Sequence, residues 1–185
     1  QWRESADIKS RIDYLQTGKP IERTLVIKDP KEAKEKIVEL VRSAKREIFA
    51  TTVSRRLTAI LTNYPLKELR ERGVKIRLLV TITKENISEA KKLSKYCKLK
   101  HIDKIDILRI VIVDRKHGFC LKPPPPNVSS DPQYIEHLKE TMYTNDQRHV
   151  DGMTAFAEQL WNMGVDGRER IMELETGKPV ERTEV

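Results

Sequence analysis

Short apolar runs alternate with amphipathic segments through the first two thirds of this chain, and that alternation limits the fold more than any other feature. "RTLVIKD" (23–29), "EIFATTV" (47–53), "VKIRLLVTI" (74–82), "KLKHID" (98–103) and "ILRIVIVD" (107–114) read as strands. Between them lie helical patterns. Asp29-Pro30 supplies an N-cap and a first-turn proline, with Ala33, Ile37, Leu40, Val41 and Ala44 on one face. A second helix runs from about Ser54 with Leu57, Ile60, Leu61, Leu66 and Leu69 inward, disturbed at Pro65 and closed by Gly73. "TKENISEAKKLSKYC" gives a third, with Ile87, Ala90 and Leu93 inward. This order implies an α/β fold with a mostly parallel β-sheet flanked by helices and right-handed crossovers. "ILRIVIVD", nearly all apolar, reads as a central strand.

After these elements, "KPPPPNVSSDPQ" (122–133) bars regular structure and reads as an extended, mobile loop. "ETMYTND" reads as a last strand running into a helix capped at Asn145 or Asp146, presenting Val150, Met153, Phe156, Ala157, Leu160 and Trp161 to the core. Ligands of parallel sheets sit beyond the carboxyl ends of the strands. That makes Thr52, Ser54, Arg55 and Thr81 candidate cleft residues, with Ser54 equally readable as a helix cap.

The chain also repeats itself. Residues 1–26 laid on 160–185 are identical at 13 of 26 positions without a gap, from Trp2 on Trp161 through Gly18 on Gly177 to Val26 on Val185. The expected organisation is a helix from a preceding repeat (1–24), one domain (25–163), and a helix with the start of a following repeat (164–185). Both junctions, "ADIKSRIDYLQTG" and "DGRERIMELETG", should be helical and end at Gly18 and Gly177. Their apolar stripes are narrow: Ile8, Ile12 and Leu15 in one, Ile171 and Leu174 in the other. Such stripes suit helix pairing better than a core face, so the junctions are expected to project and to pair with another copy, with bends at Gly164 or Gly167.

Lys and Arg exceed Asp and Glu by 36 − 28 = 8. The densest run, "KKLSKYCKLKHIDK" (91–104), holds six lysines against one aspartate, with Tyr96 its only aromatic residue. It reads either as a solvated face or as a nucleic-acid footprint, the former being the commoner case. No apolar stretch approaches a membrane span, and two cysteines give no disulfide framework, so a cytoplasmic location is expected. No glycine-rich phosphate loop and no Ser-His-Asp constellation occurs.

Taken in order, "LVRSAKREIFATTV", "LKELRERGVKIRLLVTITKENISEAKKLSKYCKLKHI", "ILRIVIVDRK", "YTND" and "FAEQLW" resemble the phospholipase D-like superfamily over about residues 25–163. The nearer likeness is to its degenerate sensor-type domain in archaeal transcription regulators and sensor histidine kinases. The resemblance implies a phospholipase D-like half-domain. Catalytic members carry His-x-Lys-x4-Asp, and here that register reads Ile107, Arg109 and Asp114. The nucleophile is absent, so the family's covalent catalysis is not expected. Arg109 could still hold an anion, or Arg109 and Asp114 could simply brace the sheet. The resemblance matches the family's active-site asparagine to Asn145.

Cys97-x3-His101 and His117-x2-Cys120 have spacings that zinc accepts, against which ordinary core and surface residues are the plainer reading. No cofactor is expected. The leading expectation is a non-enzymatic sensory domain that binds a small ligand, anionic in the simplest case, or a partner, through Thr52, Ser54, Arg55, Thr81, Arg109, Asp114 and Asn145, and relays a signal through its terminal helices. Its rivals are a nucleic-acid-binding module of a transcription regulator and a structural dimerisation unit, since catalytic relatives build one site from two halves.

Overall fold

The computed structural model describes residues 12, 14–18, 21–103, 109–122 and 135–179. Its strands are β1 (Thr24–Ile27), β2 (Glu47–Thr52), β3 (Lys75–Val80), β4 (Lys98–His101), β5 (Arg109–Val113), β6 (His117–Leu121), β7 (Thr141–Thr144) and β8 (Val165–Asp166). The helices are α1 (Pro30–Ser43), α2 (Leu57–Asn63), α3 (Leu66–Glu71), α4 (Ile87–Leu93), α5 (Gln147–Met163) and α6 (Gly167–Thr176). Local chemistry accounts for the starts and stops. An Asp29 carboxylate oxygen accepts from the N–H groups of Lys31 (2.8 Å) and Glu32 (3.0 Å), capping α1. Pro65 separates α2 from α3, and Gly73 at φ 80 turns the chain into β3.

All eight strands form one sheet, ordered β1-β7-β6-β5-β2-β3-β4-β8. Only β2–β3 and β3–β4 pair parallel; the other five neighbours are antiparallel. The expected mostly parallel sheet is therefore corrected to a mostly antiparallel one. The apolar run of β5 reflects burial on both faces, which an antiparallel centre covered by helices produces as well as a parallel one. The hairpin β5–β6 then turns the chain back on itself.

Side chains alternate across the sheet. Ile48, Leu78, Val80, Val113 and Phe119 face α1, α2, α3, α4 and α6, while Phe49, Leu79, Ile110 and Ile112 face α5 through Val150, Ala157 and Trp161. On the α5 side Arg77 forms a two-pronged pair with Glu158 (2.8 and 2.6 Å) and lies over the Phe49 and Trp161 rings. Phe156, expected inward, is 42% exposed, because the face of α5 on the sheet runs through Val150, Ala157 and Trp161, and Phe156 lies about 100° round the helix from Ala157.

The C-terminal junction does not project. The chain leaves α5 at Gly164, pairs β8 with β4 at the sheet edge, and enters α6 on the opposite face. Ile171 is buried in the larger core, Leu174 packs against it, and Glu175 pairs with Lys91 of α4. Both glycines are close-packed: a Cβ on Gly167 would lie 2.7 Å from Leu99 Cβ, and one on Gly164 2.8 Å from Leu79 Cδ1. The expected helix-pairing role for Ile171 and Leu174 is thus replaced by a core role. Residues 14–17 of the N-terminal junction are helical and exposed, and Gly18 ends them at φ 67. Ile8 and the proline-rich segment 123–134 lie outside the described residues.

Candidate functional site

At the carboxyl end of β2 a cavity of about 100 Å3 opens between the sheet, α1 and α2. Val111 and Leu121 form its floor, and Thr52, Arg56, Tyr64 and Arg109 bring polar groups to it. Arg109 opens β5, pairs in register with Leu121, and is 9% exposed. Burial pulls its guanidinium down to about 10, a shift opposed by the Tyr64 phenol and reinforced by Arg56 and Arg55. Burial likewise pushes the Tyr64 phenol up, with Arg109 and Arg56 acting against it. Thr52 is 4% exposed, and its Oγ1 has no hydrogen-bond partner among the described residues. Its neighbour Thr51 closes the strand pair instead, its Oγ1 accepting the Ile110 N–H at 2.9 Å.

Of the seven expected site residues, the structure brings Thr52 and Arg109 together. Ser54 and Arg55 lie in the 3-10 turn Ser54–Arg56 just beyond β2, and Arg55 is exposed. No side-chain cap bond forms at that turn. Thr81 is turned away, its hydroxyl donating to the Ile102 carbonyl (2.7 Å). Asp114 stands in the turn just past the far end of β5, five residues from Arg109 and about 17 Å away. Its carboxylate accepts three backbone N–H groups, from Lys45 (2.8 Å), Arg46 (2.7 Å) and Glu47 (3.0 Å). Asn145 follows β7 at that same far end, where its side chain accepts from Arg23 N–H (2.8 Å) and donates to the Ile21 carbonyl (3.0 Å). Asp114 and Asn145 fasten chain segments and do not line the cavity. Tyr64 and Arg56 were missed by sequence reasoning. The signal available was the Tyr64-Pro65 step, which forces Tyr64 into an extended conformation at the end of α2 (φ −121°).

The zinc alternative fails on geometry. His101 stands on β4 and His117 on β6, four strand spacings or about 19 Å apart in the sheet. His101 Nδ1 accepts the Ile82 N–H (2.9 Å), and His117 Nδ1 bonds the Tyr143 hydroxyl (2.9 Å). Cys97 is buried, which pushes its thiol up to about 12, and Cys120 lies half-buried on the α5 side. Among the described residues no three His, Cys, Asp or Glu side chains cluster as a metal site.

The family described as transcriptional regulator TrmB, EBD N-terminal subdomain, matches residues 23–165, about three quarters of the chain. The chain belongs to this family. The TrmB match begins one residue before β1 and ends at the first residue of β8, so it spans seven of the eight strands in full and stops short of α6. Among solved structures, the archaeal chromatin protein TrmBL2, described as having a novel mode of DNA binding, is similar at TM-score 0.57 and 18% identity. The alignment covers 89% of this chain and 62% of TrmBL2, so the chain spans under two thirds of that relative. NucT from Helicobacter pylori (TM-score 0.60) and Nuc from Salmonella typhimurium, a phospholipase D family member (TM-score 0.58), are each 14% identical. Each alignment covers 79% of this chain and 98% of theirs. At these identities the likeness concerns the fold: the TrmB subdomain has the phospholipase D architecture. Comparison with curated protein sequences gives no match. Among the described residues no helix is long and apolar enough to cross a membrane.

Proposed function

We propose that this chain is a non-catalytic regulatory domain of a transcription regulator, with nucleic acid as its partner. The observation that carries this reading is the match of residues 23–165 to a transcription-regulator subdomain. The DNA binding stated for TrmBL2 and the chain's net charge of +8 point to the same partner class. Ranking small-ligand sensing first, as the sequence alone suggests, is reversed on these grounds.

The chemistry of the site agrees with a non-catalytic role. Phosphoryl transfer through the enzyme needs a nucleophile with a base in reach. Ile107 occupies the nucleophile position of the resemblance, and Asp114 spends its carboxylate on three backbone donors. A second reading, a small ligand in the cavity, is favoured by Thr52, whose buried hydroxyl lacks a hydrogen-bond partner among the described residues beside a buried Arg109. A molecule of a few heavy atoms with one acceptor group would suit that pair. Of the resemblance's two branches, this reading takes the transcription regulators and not the histidine kinases.

The test is fluorescence anisotropy with a labelled DNA duplex at low and moderate salt, beside a phosphodiesterase assay with bis(p-nitrophenyl) phosphate. Binding that weakens as salt rises, without turnover, is expected. Turnover abolished by Arg109→Ala would overturn the non-catalytic reading. Absence of binding at low salt would remove the nucleic-acid reading and leave the cavity as the working site.

A further inference from the structure

The lysine-rich run 91–104 is split up by the fold. Lys91 pairs with Glu175, and Lys100 lies over the Trp161 ring (5.3 Å) while donating to the Trp161 carbonyl at 2.9 Å. Those two cations serve packing. Lys95 and Lys98 do not: both are exposed, and neither enters an ion pair among the described residues. They line a cleft of about 380 Å3 with Arg70 from α3 and Arg168 from α6, over Tyr96 and Leu99. Its single acid, Asp166, is engaged as the α6 cap, accepting the Arg168 N–H at 2.8 Å. Arg70 also donates to the Lys95 carbonyl, which holds the turn carrying that lysine. Three chain regions distant in sequence, α3, the turn into β4 and α6, therefore deliver four cations to one concave edge. The groove beside it shares Tyr96 and Lys98, but there Glu47 and Glu158 neutralise Arg115 and Arg77.

We propose that this cleft at the β4 edge is a docking surface for the phosphate backbone of duplex DNA, with Lys95, Lys98, Arg168 and Arg70 as its cations. The proposal rests on the nucleic-acid reading above and names the surface that serves it. The cations stand at a sheet edge with an apolar floor and no base-reading element, so contacts go to phosphates and binding is independent of sequence. Three to four phosphates neutralised give a slope of log affinity against log salt of about −3. Asp166 is the one carboxylate among the described residues that line the cleft, and its cap bond keeps it directed at the α6 backbone.

The experiment measures duplex binding by anisotropy across a salt series for the intact chain, for Lys95→Gln/Lys98→Gln, and for a control, Lys28→Gln/Lys31→Gln. The control removes the same charge from exposed residues at the opposite, β1 end of the sheet. Melting temperatures establish that all three are folded. The cleft pair should lower affinity on the order of tenfold at low salt and flatten the slope by about 2, near 1 per lost phosphate contact. The control should leave the slope unchanged. Equal losses in both doubles, or no loss in the cleft pair, would overturn the cleft while leaving DNA as a partner. No binding by the unsubstituted chain at low salt would overturn the cleft and the nucleic-acid reading together.

Discussion

Asp114 adopts φ 54 in the turn between β5 and β6, and its carboxylate ties the start of β2, 67–69 residues away, to that turn. Burial works to raise its pKa, the three N–H donors together with Lys116 outweigh burial, and the net result lies below the usual value of 3.8. A depressed carboxyl stabilises the fold above its unfolded pKa, and that contribution is lost as pH falls through the lower folded value. Asp114→Ala leaves three backbone donors without their acceptor and should cost about 2–4 kcal/mol in urea denaturation, without changing DNA affinity. The motif position was legible in the sequence, but its task was not, because the donors belong to a distant segment. His101 titrates with its own sign. Burial first and Arg170 second lower its pKa, with Asp103 opposing, and its neutral Nδ1 accepts from Ile82. The unfolded chain then takes up the proton more readily, so stability should be level above about pH 7 and fall as pH drops below about 6.5. Burial and then Lys36 move His117 the same way. Urea midpoints measured across that range check this, and His101→Asn, which retains an acceptor, should flatten the curve.

Elements with strong local signals were readable: the Asp29-Pro30 start of α1 and the Gly73 turn into β3 stand where expected. The β5–β6 hairpin was not, since Asp114 and Arg115 both take φ 54 without the glycine or asparagine that announces such a turn. The parallel reading came from the alternation of strands and helices, which holds for β2, β3 and β4, whereas β1, β5, β6, β7 and β8 all pair antiparallel. β8, two residues long, carries no periodicity at all. The glycines flanking it were read as bends, whereas contact with β3 and β4 explains them. Gly167→Ala places a methyl 2.7 Å from Leu99 Cβ and 3.0 Å from its carbonyl oxygen, and should destabilise by about 1–3 kcal/mol. Gly152→Ala, inside α5 with nothing within 4 Å, should stabilise by about 0.5–1 kcal/mol. Thermal melts of the two variants separate close packing from simple helix propensity.

At the scale of the molecule, the repeated segment meets two different surroundings. Ile12 and Ile171 occupy the same place in the repeat, yet Ile171 is 6% exposed in the core and Ile12 is 47% exposed. The cause is β8: by pairing with β4 it seats α6 over α4, where Ile171 and Leu174 complete the larger core. The candidate cleft inherits this arrangement, because Arg168 reaches it only while α6 is docked. Ile171→Ser should therefore cost about 2–5 kcal/mol, lower the melting temperature by roughly 5–15 °C, and weaken DNA binding with it. Ile12→Ser with Leu15→Ser should leave the melting temperature unchanged within about 2 °C, since both side chains are exposed. Sedimentation of this second pair asks a separate question. Association lost while the fold holds would identify the N-terminal stripe as a contact for another copy, and a large drop in melting temperature would mean that it packs on the body as α6 does.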